Sequence, residues 1–142
     1  MNSEDAAVTD PGALLRGRRA LVSYIFPVFN EEKNIEPLFG EVTRVTDSEP
    51  GYDYEFIFVD DGSQDGSLAT LRELAVRDDR VRVIDFSRNF GHQIAVTAGI
   101  DYSRGDAVIV MDTDLQDPPE VSLSLIRASY HQNRLEEGVL SL

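Results

Sequence analysis

The chain has 142 residues, of which 42% are hydrophobic, and 26 acidic residues against 13 Lys and Arg give a formal net charge of −13. This length and composition suit one domain with a packed core, and the charge argues against nucleic-acid binding, which needs clustered Lys and Arg. The absence of cysteine excludes disulfides, thiolate nucleophiles and cysteine metal sites. The longest purely apolar run, residues 107–111, is too short to span a membrane, and the acidic, polar N-terminus is unlike a signal peptide. We therefore expect a soluble protein inside the cell.

The first half of the chain predicts a leader followed by alternating strands and helices. Residues 1–19 lack periodicity and are expected to form a flexible leader. Residues 20–26 are rich in apolar and aromatic residues and predict a buried strand ended by Pro27. Asn30 suits the N-cap of a helix whose apolar residues recur along one face. A second strand is predicted at residues 54–59, with a second helix after the polar turn that follows it.

The second half of the chain continues the same alternation. Strands are predicted at residues 81–86 and 107–111, separated by a short helix, and Pro118 opens one more helix. Four such alternations predict an α/β fold, a mostly parallel sheet with helices on both faces. We expect the folded domain to occupy residues 20–128, as a truncated unit, and residues 129–142 to form an irregular tail.

Polar segments follow all four predicted strands. Ligands of open α/β sheets bind beyond the carboxyl ends of the strands, and random surface charge would not collect at these positions. The segments comprise residues 27–32, 60–63, 87–93 and 112–117. We therefore expect one binding site at this edge of the sheet.

The segment after the fourth strand carries two carboxylates, Asp112 and Asp114, one residue apart. Carboxylate oxygens are ligands for Mg²⁺ or Mn²⁺, and Mg²⁺ commonly completes its octahedron with water and phosphate oxygens of a substrate. This arrangement suits a nucleotide diphosphate. The alternative is a solvated turn or helix cap rich in aspartate, and the preceding apolar strand favours the metal site.

The segments after the first two strands are open to two interpretations. Asp60 and Asp61 precede Gly62 and suit an ordinary turn, but one carboxylate could instead accept hydrogen bonds from the N–H groups of uracil or guanine. Similarly, residues 27–31 could simply end a strand and cap a helix. In the functional interpretation Phe29 packs against the base and Glu31 lies within reach of it.

Arg88 and His92 follow the third strand. Arg88 could bind a phosphate bidentately or could be a surface arginine, and His92 is interpreted as a helix-start residue rather than a ligand. Other nucleotide-binding classes fit poorly, since no G-x-G-x-x-G and no P-loop motif is present. A phosphoacceptor receiver domain needs a lysine late in the sheet, whereas the only lysine is Lys33, in the first helix.

Longer motifs in these segments identify a family. The sequences FPVFNEE at residues 26–32 and VDDGSQDG at residues 59–66 resemble the inverting family-two glycosyltransferases of GT-A fold. The sequences RNFGHQ at residues 88–93 and DTDLQDPPE at residues 112–120 are more specific. They resemble the polyprenyl-phosphate glycosyltransferases, the subgroup of dolichol-phosphate mannose synthase and the bactoprenol glucosyltransferases. The resemblance covers roughly residues 20–127, the N-terminal catalytic part of such enzymes.

The resemblance implies a Rossmann-like GT-A domain that binds a UDP- or GDP-sugar donor together with Mg²⁺ or Mn²⁺. The residues that it implies for donor binding are Pro27, Phe29, Glu31, Val59, Asp60, Asp61, Arg88, Asp112, Thr113 and Asp114. Asp112 and Asp114 would be catalytic, and the metal would be held by Asp112, Asp114 and Gln116. Phe29 stands where the family usually has tyrosine, and Thr113 where alanine is commoner.

The resemblance also implies the reaction. A polyprenyl phosphate, dolichyl or undecaprenyl, is already anionic near neutral pH, so its attack on the sugar needs no strong general base, and in-line displacement inverts the anomeric carbon. Such an enzyme would meet its lipid acceptor at the cytoplasmic face of a membrane. The alternatives are a family-two transferase with a saccharide or protein acceptor, and a non-catalytic nucleotide-sugar-binding module.

Overall fold

The computed structural model, which describes residues 19–114, 118–131 and 139–141, shows strands and helices in alternation. The elements are β1 (Leu21–Val28), α1 (Glu32–Asp47), β2 (Asp53–Asp60), α2 (Ser67–Arg77), β3 (Val81–Asp85), α3 (His92–Tyr102), β4 (Ala107–Val110), α4 (Pro119–His131) and β5 (Val139–Ser141). The five strands form one parallel sheet in the order β3-β2-β1-β4-β5. The predicted α/β class is therefore confirmed. None of the described helices is long and apolar enough to cross a membrane.

The central strands β1 and β2 alternate their side chains between two apolar layers, as expected for strands buried on both faces. On one face Tyr24, Phe26 and Phe58 pack with apolar residues of α1, α2 and α4. On the other face Ile25 and Val59 pack with α3. Helices therefore cover both faces of the sheet, and the face with Tyr24, Phe26 and Phe58 is covered by three of the four helices that the structure describes.

The strand order reverses at β1. The chain runs outward from β1 to β2 and β3, and then returns to place β4 and β5 on the opposite side of β1. Helical connections leaving adjacent parallel strands in opposite directions open a crevice beyond their carboxyl ends, which is the usual ligand position in open α/β sheets. The fold thus places this crevice between the ends of β1 and β4.

The prediction that Pro27 ends the first strand is wrong, because β1 continues to Val28. The backbone of Ile25, two residues earlier, faces β4, and its carbonyl accepts the Met111 N–H at 2.9 Å. Residues two positions apart in a strand direct their backbone groups to the same side, so the backbone nitrogen of Pro27 also faces β4. The β4 strand has already ended at Val110, so the missing N–H of Pro27 removes no ladder hydrogen bond.

The prediction that Asn30 caps the first helix is also wrong, because α1 begins at Glu32. Asn30 has a φ of +52°, a left-handed conformation that asparagine tolerates better than most residues. Its N–H donates to Ser63 Oγ at 2.9 Å, and its Oδ1 accepts the Gln64 N–H at 2.8 Å. Asn30 therefore joins the segment after β1 to the turn after β2.

The irregular tail predicted over residues 129–142 is wrong where the chain is described. The α4 helix runs on to His131, and β5 (Val139–Ser141) pairs in parallel with β4. Without β5, β4 would lie at the sheet edge with a row of unpaired backbone groups, which favours the addition of a strand. The predicted leader, apart from Arg19, lies outside the described residues.

Candidate functional site

A cleft of about 480 Å³ lies beyond the carboxyl ends of β1 and β4, at the point where the strand order reverses. Most of the predicted site residues line it, namely Pro27, Phe29, Glu31, Asp61, Asp112, Thr113 and Asp114. These side chains come from three segments that are far apart in the sequence. The strand-end argument correctly predicted that these segments meet.

The segment between β1 and α1 forms one wall of the cleft. Phe29 is 46% exposed although the seven residues before it are buried, and an exposed aromatic ring suits contact with a flat ligand such as a base. Glu31 is half-buried, with its N–H donating to Ser67 Oγ at 3.0 Å. Its carboxylate accepts a hydrogen bond from the Asn34 amide, which fixes Glu31 at the start of α1.

The segment after β4 forms the opposite wall. Thr113 is buried, whereas the flanking Asp112 and Asp114 are exposed and line the cleft. Within the described ranges no group of three His, Cys, Asp or Glu could hold a metal without help. Two carboxylates nevertheless fit Mg²⁺ or Mn²⁺ when phosphate oxygens and water supply the remaining ligands. The third predicted metal ligand, Gln116, lies outside the described residues.

The Asp61 carboxylate anchors the loop that follows β3. Asp61 is 4% exposed, and its oxygens accept the N–H of Phe90 at 2.7 Å and of Gly91 at 3.1 Å. The Asn89 amide donates to Asp61 Oδ2 at 3.1 Å as well. Hydrogen bonds between backbone N–H groups and a carboxylate are charge-assisted and strong, so Asp61 fixes residues 89–91 as the third wall of the cleft.

Gly62 lets the two loops approach each other this closely. Its φ is +73°, and a Cβ at this position would lie 2.3 Å from the backbone carbon of Arg88. Only a residue without a side chain meets both requirements. The glycine of the DDGS turn is therefore needed for the contact between the β2 and β3 loops.

Asp60 lies beside the cleft rather than in it. Its side chain is 1% exposed, with Oδ2 accepting the Ser63 N–H at 3.2 Å and Oδ1 without a hydrogen-bond partner. Asp60 borders a neighbouring recess of about 560 Å³ that Phe29 and Arg88 also line. An unpaired buried carboxylate oxygen is costly, so a hydrogen bond donated to Asp60 Oδ1 would be stabilising. Because Phe29 lines both cavities, the recess and the cleft adjoin.

Besides Asp60, two predicted residues lie outside the cleft. Arg88 lies in the neighbouring recess, with its guanidinium carbon 4.3 Å from the centre of the Phe90 ring. The Val59 side chain is fully buried in the layer under α3 and lines neither cavity. Side chains alternate between the two faces of the sheet along β2, and the Val59 side chain lies on the face that packs against α3.

The cleft is also lined by four residues that lie in the predicted polar segments but were assigned no ligand contact: Val28, Asn89, Gly91 and His92. Val28 lies in the segment of residues 27–32 that was expected at this edge of the sheet. The other three lie in the RNFGHQ motif, so the motif itself was the available signal. His92 is the first residue of α3, as predicted, but it also lines the cleft.

Comparison with known proteins assigns the chain to a family. The family model for glycosyl transferase family 2 matches residues 23–134. The match covers most of the chain and all three walls of the cleft. The chain therefore belongs to glycosyl transferase family 2, and the resemblance found in the motifs is confirmed.

Relatives and solved structures agree with this assignment. The chain is 50% identical over 109 residues to the uncharacterized glycosyltransferase YkcC of Bacillus subtilis, covering 77% of this chain and 33% of the relative. It is 45% identical over 105 residues to the bactoprenol glucosyl transferase of Shigella phage SfX, covering 74% and 34% respectively. The chain thus spans about a third of the length of these curated relatives.

Among solved structures, the fold is similar to that of the mannosyltransferase PcManGT from Pyrobaculum calidifontis, which was solved in complex with GDP-Man and Mn²⁺. The TM-score is 0.66 at 21% identity, over 91% of this chain and 34% of that one. The S. aureus protein TarS, residues 1–349, has a TM-score of 0.65 at 23% identity, over 78% and 32%. At these identities the likeness supports the GT-A fold alone.

Proposed function

We propose that this chain is the donor-binding part of an inverting glycosyltransferase that transfers a sugar from a UDP- or GDP-sugar to a polyprenyl phosphate. The observation that carries the proposal is the cleft at the strand reversal, where Asp112 and Asp114 face the segment after β1. The bactoprenol glucosyl transferases among the relatives support the lipid acceptor. The GDP-Man and Mn²⁺ complex of PcManGT supports the donor class.

The two adjoining cavities suit the two halves of a donor. The nucleoside would occupy the recess, where Phe29 offers a ring face, Asp60 an unpaired oxygen, and Arg88 a cation. The base of either UDP or GDP presents N–H groups that could donate a hydrogen bond to Asp60 Oδ1. The diphosphate and sugar would then extend into the cleft, toward Asp112 and Asp114.

A divalent cation, Mg²⁺ or Mn²⁺, would be held by Asp112 and Asp114, with Gln116 as a further predicted ligand. When bound, such a cation neutralises charge that develops on the departing diphosphate. Pro27, Glu31 and Thr113 line the same walls and would fix the orientation of the donor. Asp61 contributes indirectly, because its carboxylate is already occupied by the loop after β3.

The reaction would be a single displacement. An oxygen of the acceptor phosphate forms a bond to the anomeric carbon while the bond to the diphosphate breaks, which releases UDP or GDP and inverts the configuration. The acceptor oxygen already carries negative charge near neutral pH, so the walls of the cleft need only align the two substrates. We place this activity at the cytoplasmic face of a membrane, where a lipid phosphate is accessible.

Calorimetric titration of UDP and GDP into the purified chain, with and without Mn²⁺, tests donor binding. We expect Mn²⁺-dependent binding of one nucleotide that is lost in Asp114→Ala and kept in Asp101→Ala, an exposed aspartate of α3 outside the cleft. Binding of neither nucleotide would contradict the proposed donor site. Turnover with the matching nucleotide sugar on polyprenyl phosphate then tests the acceptor, and a product that retains the anomeric configuration would exclude the inverting mechanism.

A further inference from the structure

Negative charge dominates the cleft that we assign to the diphosphate. Four carboxylates line it, those of Glu31, Asp61, Asp112 and Asp114, and none of the described Lys or Arg side chains does. The diphosphate of a nucleotide sugar brings two more negative charges. A divalent cation offsets only part of this repulsion, so an additional hydrogen-bond donor in the cleft would contribute to binding.

The described arginines are engaged away from the cleft. Arg82 and Arg104 pair with Glu55, and Arg44 pairs with Glu41 and Glu120. Arg88, which lies nearest, borders the recess and stacks on an aromatic ring instead. Within the described part of the chain no Lys or Arg lines the cleft, whereas the imidazole of His92 does and offers an N–H donor.

The loop after β3 fixes His92 at the wall. Its neighbour Gly91 donates its N–H to the Asp61 carboxylate at 3.1 Å, as does Phe90 at 2.7 Å. His92 is exposed and lines the same cleft as Asp112 and Asp114. A buried carboxylate thus holds the backbone, and the imidazole remains available to a ligand.

We propose that His92 binds the diphosphate of the donor by donating an imidazole N–H to one of its oxygens. This inference rests on the proposed function, since it needs a nucleotide diphosphate in the cleft. His92 would act as a binding residue, without accepting or releasing a proton during the reaction. Substitution of His92 should leave the affinity for the nucleoside unchanged, because we place the nucleoside in the recess.

The test compares the diphosphate and the nucleoside as ligands of His92→Ala and His92→Gln in the 142-residue chain. With UDP or GDP and Mn²⁺, we expect His92→Ala to raise Kd roughly tenfold, since the loss of one hydrogen bond to a charged group changes Kd by about this factor. Glutamine retains an N–H donor and should recover part of the affinity. Binding of uridine or guanosine, followed by NMR shifts, should change less than about twofold. Gln93→Ala, an exposed neighbour outside the cleft lining, is the matched control.

The outcomes separate this inference from the function on which it depends. If the wild-type chain binds neither UDP nor GDP, the donor site and the role of His92 are both wrong. If the wild type binds and His92→Ala binds equally well, or loses diphosphate and nucleoside affinity alike, only the role of His92 is overturned. The chain contains two histidines, so the His92 ring signals can be identified by their absence from His92→Gln. They should shift on adding the diphosphate and stay unchanged with the nucleoside.

Discussion

At the scale of single residues, the adjacent aspartates Asp60 and Asp61 differ because their carboxylates meet different partners. Asp61 accepts hydrogen bonds from three donors of the loop after β3. Asp60 retains one buried oxygen without a partner. A saturated carboxylate is suited to holding a loop, and an unsaturated one to accepting a ligand N–H. This difference is the basis for placing the nucleoside beside Asp60.

Replacement of Asp61 by asparagine tests the anchoring role. The amide keeps one acceptor oxygen but directs an NH₂ group at backbone N–H donors, so Asp61→Asn should reduce the free energy of unfolding by about 1–3 kcal/mol. Amide hydrogen exchange at Phe90 and Gly91 should accelerate more than exchange in β1. Asp101→Asn, on the exposed surface of α3, serves as the control. Unchanged exchange at Phe90 and Gly91 would rule out the anchor.

At the scale of elements, the sequence predicts the fold better than it predicts the fine arrangement of the site. Apolar runs located β1, β2 and β4, because these strands are buried on both faces and have few polar residues. The positions of Asp112 and Asp114 followed from the strand that precedes them. Pro27 was misjudged because the effect of a missing N–H depends on which neighbouring strand it faces, and this is a property of the assembled sheet.

Long-range contacts explain the remaining differences. Nothing local to Asp60 and Asp61 indicates which carboxylate meets the loop after β3, because the donors lie almost 30 positions further along the chain. Likewise, α3 packs closely on the sheet at Gly99, where a Cβ would lie 2.3 Å from an Ile25 methyl group. The sequence shows a glycine in a helix, but only the fold shows why one is required there.

A buried carboxylate also joins several elements outside the cleft, and it gives a pH-dependent prediction. Glu55 of β2 is 3% exposed and accepts hydrogen bonds from Ser23 of β1, Arg82 of β3 and the backbone and side chain of Arg104. Burial alone would raise the pKa of Glu55, but these hydrogen bonds outweigh it and lower the pKa below its ordinary value. A lowered folded-state pKa gives stability that is present above the unfolded value, about 4.3, and is lost as the pH falls.

Urea unfolding of Glu55→Gln tests this network. At pH 7 the variant should be less stable than the wild type by about 1–3 kcal/mol, since neutral hydrogen bonds replace charge-assisted ones. The difference should shrink as the pH falls below about 4, because Glu55 of the wild type then becomes protonated. Glu73→Gln, at an exposed position of α2, should show neither effect. A difference that is independent of pH would mean that packing, rather than charge, accounts for the loss. Donor binding should persist in the variant, because Glu55 lines neither cavity.

At the scale of the whole molecule, which has a net charge of −13, cations can raise stability in two ways that experiment can separate. Any salt screens the repulsion among carboxylates and should raise the melting temperature. A cation bound specifically by Asp112 and Asp114 adds stability by mass action, about 1.4 kcal/mol at ten times Kd, which corresponds to several degrees. We therefore expect MnCl₂ to stabilise the chain more than NaCl of equal ionic strength, and more strongly with UDP or GDP present, because phosphate oxygens complete the coordination.

The double variant Asp112→Ala, Asp114→Ala should lose this additional stabilisation. Asp79→Ala, Asp101→Ala, which removes two exposed charges outside the cleft, should retain it. Equal melting temperatures in the two salts, with nucleotide present, would show that these aspartates do not form a metal site.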